Sequence, residues 1–504
     1  MHALQANGPR PPRIRAPSGA MTKIIQLIMS NTELCFLPAT QITKQIAGRD
    51  LSALEVTDAH LAQIERCNPQ LNAIVTLVAD QARESAKAAD AKQARGETLG
   101  LLHGLPMVHK DLAETKGIRT TFGSPIFNDF VPDRTALIVE RMQQAGGITL
   151  GKSNTPEFGA GSQTYNEVFG ETINPYGLPE RRLTCGGSSG GAAVALAAGM
   201  VPIADGTDLG GSLRNPASFC NIVGFRPSPG RVPNWPALAA WFPFTTAGPM
   251  ARSVEDIALM MAAIAGPDVR SPISLPEPGS DFLRPLQRDF KKTRIAWSAD
   301  LNSSFHVDPR VVSVLEKQLP IFSALGCDVE KAAPDFTGAD DLFRIWRAWA
   351  MHMTFGELYK TQREQMKDTV RWNIEEGAKL SGADIARAEK MRSVLYHRVR
   401  RFFDNYDYLL LPVVQVPPFD VKERWVKSIN GVELPTYLDW MKSCYLISAT
   451  TLPCLSIPAG FNEDGLPIGL QIVGKHNADF SVLQLAYGFE QATGIALQRP
   501  AMCA

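Results

Sequence analysis

Cys185–Met200, CGGSSGGAAVALAAGM, followed at Asp208–Pro216 by DLGGSLRNP, sets the reading of the whole chain. Ten of the 45 residues from Gly186 to Gly230 are glycine, against 40 of 504 overall. Glycine beside serine lets the backbone turn sharply and lets a ligand come close to the chain. The apolar run Ala192–Met200 suits a short buried helix entered directly from the first turn. Amides at Leu209, Gly210, Gly211 and Ser212 can converge on one point, as a developing oxyanion requires. The plain alternative is a pair of tight turns with exposed serines. None of the eight histidines, His103 and His109 included, accompanies a Gly-x-Ser-x-Gly elbow, so a Ser-His-Asp triad has little support.

Outward from this stretch the chain alternates helix and strand. Residues 40–68 read as two helices parted at Gly48–Asp50, with Ser52 and Glu55 forming a capping box. Ala79–Arg95 reads as a polar, alanine-rich helix, and Leu105–His109 as a short buried strand ending at Lys110–Asp111. A helix over Ala136–Ala145 precedes a strand at Gly147–Leu150. Beyond the Pro- and Ser-rich stretch 267–278 come a strand (Thr293–Trp297), a helix (Pro309–Leu325) and a long charged helical stretch from about 339 to 403. Late strands at Tyr408–Pro412, Leu455–Gly460 and Gly469–Val473, then a helix over Phe480–Thr493, bring the chain back to its first core. The expected class is α/β, a central sheet layered with helices.

Composition excludes several functions. Lys plus Arg equals Asp plus Glu at 51 each, so there is no basic surplus for nucleic acid. With 45% hydrophobic and 20% charged residues the chain is not a disordered one. No apolar run reaches the roughly 18 residues that span a bilayer. Eight scattered cysteines without a CxxC pair point to reduced thiols in a cytoplasmic protein, with no disulfide framework or zinc site. Residues 1–37 read as a disordered extension, with Met21 a candidate natural start and a transit peptide the lesser alternative. Gly146–Ser153 matches the P-loop pattern, but its apolar Ile148–Leu150 follows a helix and is itself a strand. The order that wraps a phosphate is reversed.

Taken together, the Gly186–Gly191 and Asp208–Pro216 segments resemble the signature of the amidase signature family of serine hydrolases. Gly104–Pro106 before Lys110–Asp111, Leu150–Asn154 with Pro156–Glu157, and Ser456–Gly474 fit the same family in the same order. The resemblance covers about residues 38–495. It implies the amidase signature fold, a central mixed twisted β-sheet covered by helices on both faces. The core falls at about 65–265 and 405–495, and a variable helical substrate lid at about 270–404.

The resemblance further implies a Ser–cis-Ser–Lys triad. Ser212 is the acyl nucleophile, Ser188 sits on a cis peptide bond as the bridge, and Lys110 is the general base. A lysine can act as a base only when neutral, which burial favours. The oxyanion hole falls to Leu209, Gly210, Gly211 and Ser212. Ser189, Asp208 and Arg214 support the site, Ser189 as a helix N-cap, and Ala160, Gly161 and Ser162 lie near the substrate. Lys152 is expected to be structural or solvated.

The activity implied is hydrolysis of a small aryl or alkyl amide without metal or cofactor. Carbamate (urethane) or ester hydrolysis is the alternative. Less favoured are the glutaminase A subunit of an aminoacyl-tRNA amidotransferase, whose polar recognition pattern is missing from Pro233–Pro249, and a non-catalytic binding scaffold. Trp235, Trp241, Phe242 and Phe244 suggest an aromatic wall for the acyl pocket, with core packing the competing explanation. Trp346, Trp349, Trp425 and Trp440 mark the variable cover. No nucleic-acid partner is implied, and the protein is expected to be a monomer or homodimer.

Overall fold

A computed structural model describes residues 31–503. Most of the extension read over 1–37 lies outside them. Where the two overlap the expectation fails, because Asn31–Cys35 is helical and Leu34, Cys35 and Phe36 are buried. Apolar side chains and a partner for the thiol explain this: Cys35 Sγ donates to the Ala59 carbonyl at 3.4 Å, and the Arg252 guanidinium lies 5.5 Å from the Phe36 ring centre.

Eleven strands form one mixed sheet. In chain order they are β1 (Ile74–Leu77), β2 (Pro106–Lys110), β3 (Ile148–Ser153), β4 (Ile203–Asp208), β5 (Val223–Arg226), β6 (Thr246–Ala251), β7 (Thr293–Trp297), β8 (Cys327–Lys331), β9 (Tyr408–Pro412), β10 (Cys454–Phe461) and β11 (Pro467–Gly474). Their spatial order is β1-β3-β2-β4-β6-β5-β10-β11-β9-β7-β8. Alternate side chains of a strand point to opposite faces. On β2, Met107 and Val108 enter different apolar cores, as do Ile203 and Ala204 on β4. Both faces are therefore buried. Helices contribute to each core, Val254–Ile264 to one and Ala53–Leu71 to the other.

The helices that matter for the site are α1 (Gly190–Ala197), α2 (Arg214–Phe219), α3 (Ala339–Gln362), α4 (Asp368–Ala378) and α5 (Gly382–Phe402). The last three replace the single long stretch expected over 339–403. Ser381 caps α5 with a capping box to Asp384, which fixes one of the breaks. Similarly, the helix read over Pro309–Leu325 is two, Pro309–Glu316 and Leu319–Ala324, because Pro320 cannot supply the backbone N–H that would join them. The 270–404 span is not only helical cover. It also supplies β7 and β8, since β7 pairs in parallel with β9 and extends the sheet beyond the returning strands.

Strands β2 and β4 are parallel neighbours, with Met107 opposite Ile203 and Val108 opposite Ala204. Lys110 and Asp208 thus end adjacent strands at the same edge, the carboxyl ends where α/β sheets bind ligands. Helix α1 packs against this edge through Gly191. A Cβ there would lie 2.3 Å from the Asn154 amide nitrogen and 2.6 Å from the Ala73 carbonyl oxygen. Both are backbone atoms held in place, so they cannot yield as a flexible side chain would. Gly191→Ala is therefore expected to cost about 3 kcal/mol of stability, read as a lowered thermal unfolding midpoint.

Candidate active site

Lys110 is the last residue of β2 and is fully buried. Its Nζ sits among three hydroxyls: Ser188 Oγ at 2.8 Å, Ser189 Oγ at 2.9 Å and Thr207 Oγ1 at 3.0 Å. Burial pulls the amine down to about 7, although Asp205 and Asp208 favour its charged form. Both acids spend their oxygens on other groups. Asp205 accepts from the Lys110 amide at 3.3 Å and pairs with His109 Nδ1 at 2.6 Å, while His109 Nε2 meets Thr149 Oγ1 at 3.0 Å. His109 is thereby spent on the sheet.

The peptide bond Gly187–Ser188 is cis, as the resemblance implies. Ser189 occupies the N-cap position of α1, but its side chain makes no capping bond. It takes the lysine instead, which corrects the simple cap role expected of it. Thr207, which carries no motif of its own, closes the cage. Its only sequence signal is its place immediately before Asp208.

Ser212 lies in the turn between β4 and α2, and Asp208 shapes that turn. One carboxylate oxygen of Asp208 accepts from the Gly211 amide at 2.8 Å, the other from the Leu213 amide at 3.1 Å. Arg214 forks onto both oxygens at 2.9 and 3.0 Å, and Arg226 Nη1 reaches Oδ1 at 3.2 Å. Burial opposes the Asp208 charge, but the two guanidiniums overcome it and hold the carboxyl well below the usual carboxylate range. Arg226 is, with Thr207, a supporting residue that the motifs do not mark. Gly211 has φ of 123°, a conformation suited to glycine, and a Cβ on it would meet Cys444 Cβ at 2.6 Å.

The expected oxyanion set is narrowed by this turn. The Gly211 amide is committed to Asp208, whereas those of Leu209, Gly210 and Ser212 donate to no other group among the described residues.

Ser188, Ser212 and Thr207 line one cavity of about 340 Å³. Its wall is largely apolar, with Leu112, Phe158, Phe242, Met351 and Phe355. Of the four aromatic residues expected there, only Phe242 lines it. Trp241 is 75% exposed, Trp235 carries Arg270 at 5.1 Å from its ring centre, and Phe244 is buried behind Phe242. Helix α3 forms the opposite support, with Trp346 and Trp349 packed 5.8 and 5.5 Å from the Phe242 ring. Ala160, Gly161 and Ser162 line an adjoining cavity of about 510 Å³, beside Lys367, whose Nζ donates to the Ala160 carbonyl at 2.7 Å. Phe158 and Gly159, just before them, face Ser212's cavity instead.

Lys152 is buried rather than solvated. Its Nζ donates to the Ala113 carbonyl and to Thr115 and Thr120. Gly151–Ser153 is the end of β3, so the P-loop match forms no phosphate loop. Among the described residues no helix is long and apolar enough to cross a membrane, and no group of three or more His, Cys, Asp or Glu side chains is arranged to hold a metal.

Comparisons with known proteins agree on the family. The Amidase family model matches residues 55–483. The acylamidase of Rhodococcus erythropolis is 34% identical over 477 residues, covering 94% of this chain and 99% of that protein. The A subunit of the glutamyl-tRNA(Gln) amidotransferase of Thermosynechococcus vestitus is also 34% identical, over 91% of this chain and 98% of that protein. A solved bacterial aryl acylamidase of the amidase signature enzymes superposes with a TM-score of 0.85 at 30% identity, over 92% of this chain and 99% of the other.

The two buried charges respond differently to substitution. Between about 7 and 10.5 the unfolded chain holds a proton on Lys110 that the folded chain lacks, so this lysine makes stability rise with pH across that window. Lys110→Met is expected to lose turnover yet be at least as stable as the parent near pH 6, with the stability gap shrinking toward pH 10 in thermal melts. Asp208→Asn leaves Arg214 and Arg226 buried without a counter-charge. It should cost about 3–5 kcal/mol, measured by unfolding, together with loss of turnover.

Proposed function

The chain belongs to the amidase signature family, and from that membership we propose that it hydrolyses the C–N bond of small carboxylic amides through an acyl-enzyme on Ser212. The observation that carries this reading is the 2.8 Å contact of a buried Lys110 amine with Ser188 Oγ, on the cavity that Ser212 also lines. With the amine neutral, its two N–H groups serve Ser189 and Thr207, and its lone pair faces the Ser188 hydroxyl. Ser188 passes its proton to Lys110 and takes one from Ser212. The freed Ser212 Oγ attacks the amide carbon, forming a C–O bond.

The resulting oxyanion is held by the amides of Leu209, Gly210 and Ser212, fixed in advance by the Asp208 turn. The proton then returns through Ser188 to the amide nitrogen, and the C–N bond breaks. Water then enters, gives a proton along the same route and forms a C–O bond to the acyl carbon. The C–Oγ bond to Ser212 breaks, the proton returns through Ser188 to Ser212 Oγ, and the carboxylic acid leaves. No step calls on a cofactor.

The apolar wall favours aryl or alkyl amides. Esters and carbamates present the same tetrahedral chemistry and are the alternative substrates. Glutamine, suggested by the amidotransferase relatives, fits less well: among the described residues no Asp or Glu lines the cavity, so its ammonium meets no counter-charge there.

A fluorophosphonate should label the protein at Ser212, and Ser212→Ala should lose both labelling and turnover on a panel of anilides, aliphatic amides, esters, carbamates and glutamine. Turnover retained in that variant would sink the assignment. Turnover should fall below about pH 7 as Lys110 takes up a proton.

A further inference from the structure

Four arginines are buried among the described residues: Arg214, Arg226, Arg231 and Arg347. Three have acids beside them. Arg214 and Arg226 share Asp208, and Arg231 pairs with Asp479 and Glu277. Arg347 has none within ion-pairing distance among the described residues, yet it is only 7% exposed and lines the same cavity as Ser212.

Its fixed contacts are neutral. Nε donates to Asn373 Oδ1 at 3.1 Å and Nη2 to the Tyr437 hydroxyl at 2.8 Å. Asn373 Nδ2 also donates to that hydroxyl, at 2.6 Å, which ties α4 to the Tyr437 segment and fixes the plane of the guanidinium. Nη1 donates to no group among the described residues. Burial brings the nearby Lys367 amine down to about 8; Glu157 and Glu167 favour its protonation, while Arg347 and Arg424 oppose it. Glu157 spends its two oxygens on the Ser124 hydroxyl at 2.6 Å and the Lys367 amide at 2.8 Å, and so does not pair with Arg347. A guanidinium stays charged at any accessible pH, and burying a charge without a partner is costly. Arg347 lines the cavity, so an anion bound there is a partner that its free Nη1 edge can take.

We propose that Arg347 is a substrate-binding residue that receives a carboxylate, so that the preferred substrates are amides carrying an acid group set apart from the scissile bond by an aryl or short alkyl spacer. This rests on the reading of Ser212 as the nucleophile in the same cavity. The apolar wall of Phe158, Phe242 and Phe355 takes the spacer, and the free edge of the guanidinium takes the acid. A guanidinium meets a carboxylate through charge-assisted hydrogen bonds, the stronger kind. An apolar pocket alone would accept a neutral amide of the same shape, but here such an amide would leave the Arg347 charge unmatched.

The test compares two matched pairs. Succinanilic acid against butyranilide places the acid on the acyl side, and 4-acetamidobenzoate against 4-methylacetanilide places it on the amine side. In the parent enzyme the acid of at least one pair should be preferred in kcat/KM, chiefly through a lower KM. Arg347→Met should reduce that acid-to-neutral ratio by about 10- to 100-fold, and Arg347→Lys should restore part of it.

Calorimetric binding of the same compounds to Ser212→Ala gives a readout that needs no chemistry, and its acid preference should vanish in the Ser212→Ala, Arg347→Met double variant. Equal handling of acid and neutral members by the parent, or a ratio unmoved by Arg347→Met, overturns the proposal and leaves the amidase reading standing. Acid-selective binding without hydrolysis of any amide supports the Arg347 subsite and overturns the nucleophile assignment instead.

Discussion

The Asp208 carboxylate is the constraint on which the rest of the site depends. It is fully buried and satisfies two backbone amides and two guanidiniums at once. The amide bonds fold the chain into the turn that presents Ser212. Through Arg214 the same group reaches the Cys444 carbonyl at 2.9 Å and Ser448 Oγ at 2.7 Å, so the residues that come late in the chain are fastened to the first half. Removing a charge from such a cluster strands the others in a medium of low dielectric, which makes the arrangement all-or-none.

Lys110 presents the opposite electrostatic choice. Asp208 is kept charged by placing cations against it, whereas Lys110 is brought toward neutrality by burial, with three hydroxyls and, among the described residues, no paired acid around it. The two groups end neighbouring parallel strands, so the sheet sets their separation and their environments set their protonation. A buried amine brought toward neutrality and a rigid turn are thus obtained from one edge of one sheet.

Much of this was legible in the sequence. The glycine excess of 186–230, the strand ending at Lys110, the helix starting after Ser189 and the Asp208–Arg214 turn are local features, and local features follow from backbone geometry and apolar periodicity. Thr207 and Arg226 were not legible because each acts across the sheet, and neither carries a mark in its own neighbourhood. The aromatic wall was misread for the same reason. Trp241 and Trp235 sit close to Phe242 in sequence, but their side chains leave the cavity for solvent and for Arg270, while Phe158 and Phe355 arrive from distant segments.

By itself the sequence determined the class of fold, the two serine-bearing turns and the lysine, because each depends on residue types a few positions apart. Tertiary structure decided the protonation of Lys110, the commitment of the Gly211 amide, the real lining of the cavity and the unmatched charge of Arg347. These depend on what is absent around a group as much as on what is present. Desolvation and the lack of a counter-charge are properties of a packed volume, to which segments from residue 110 to residue 437 contribute, and no short stretch of chain encodes them.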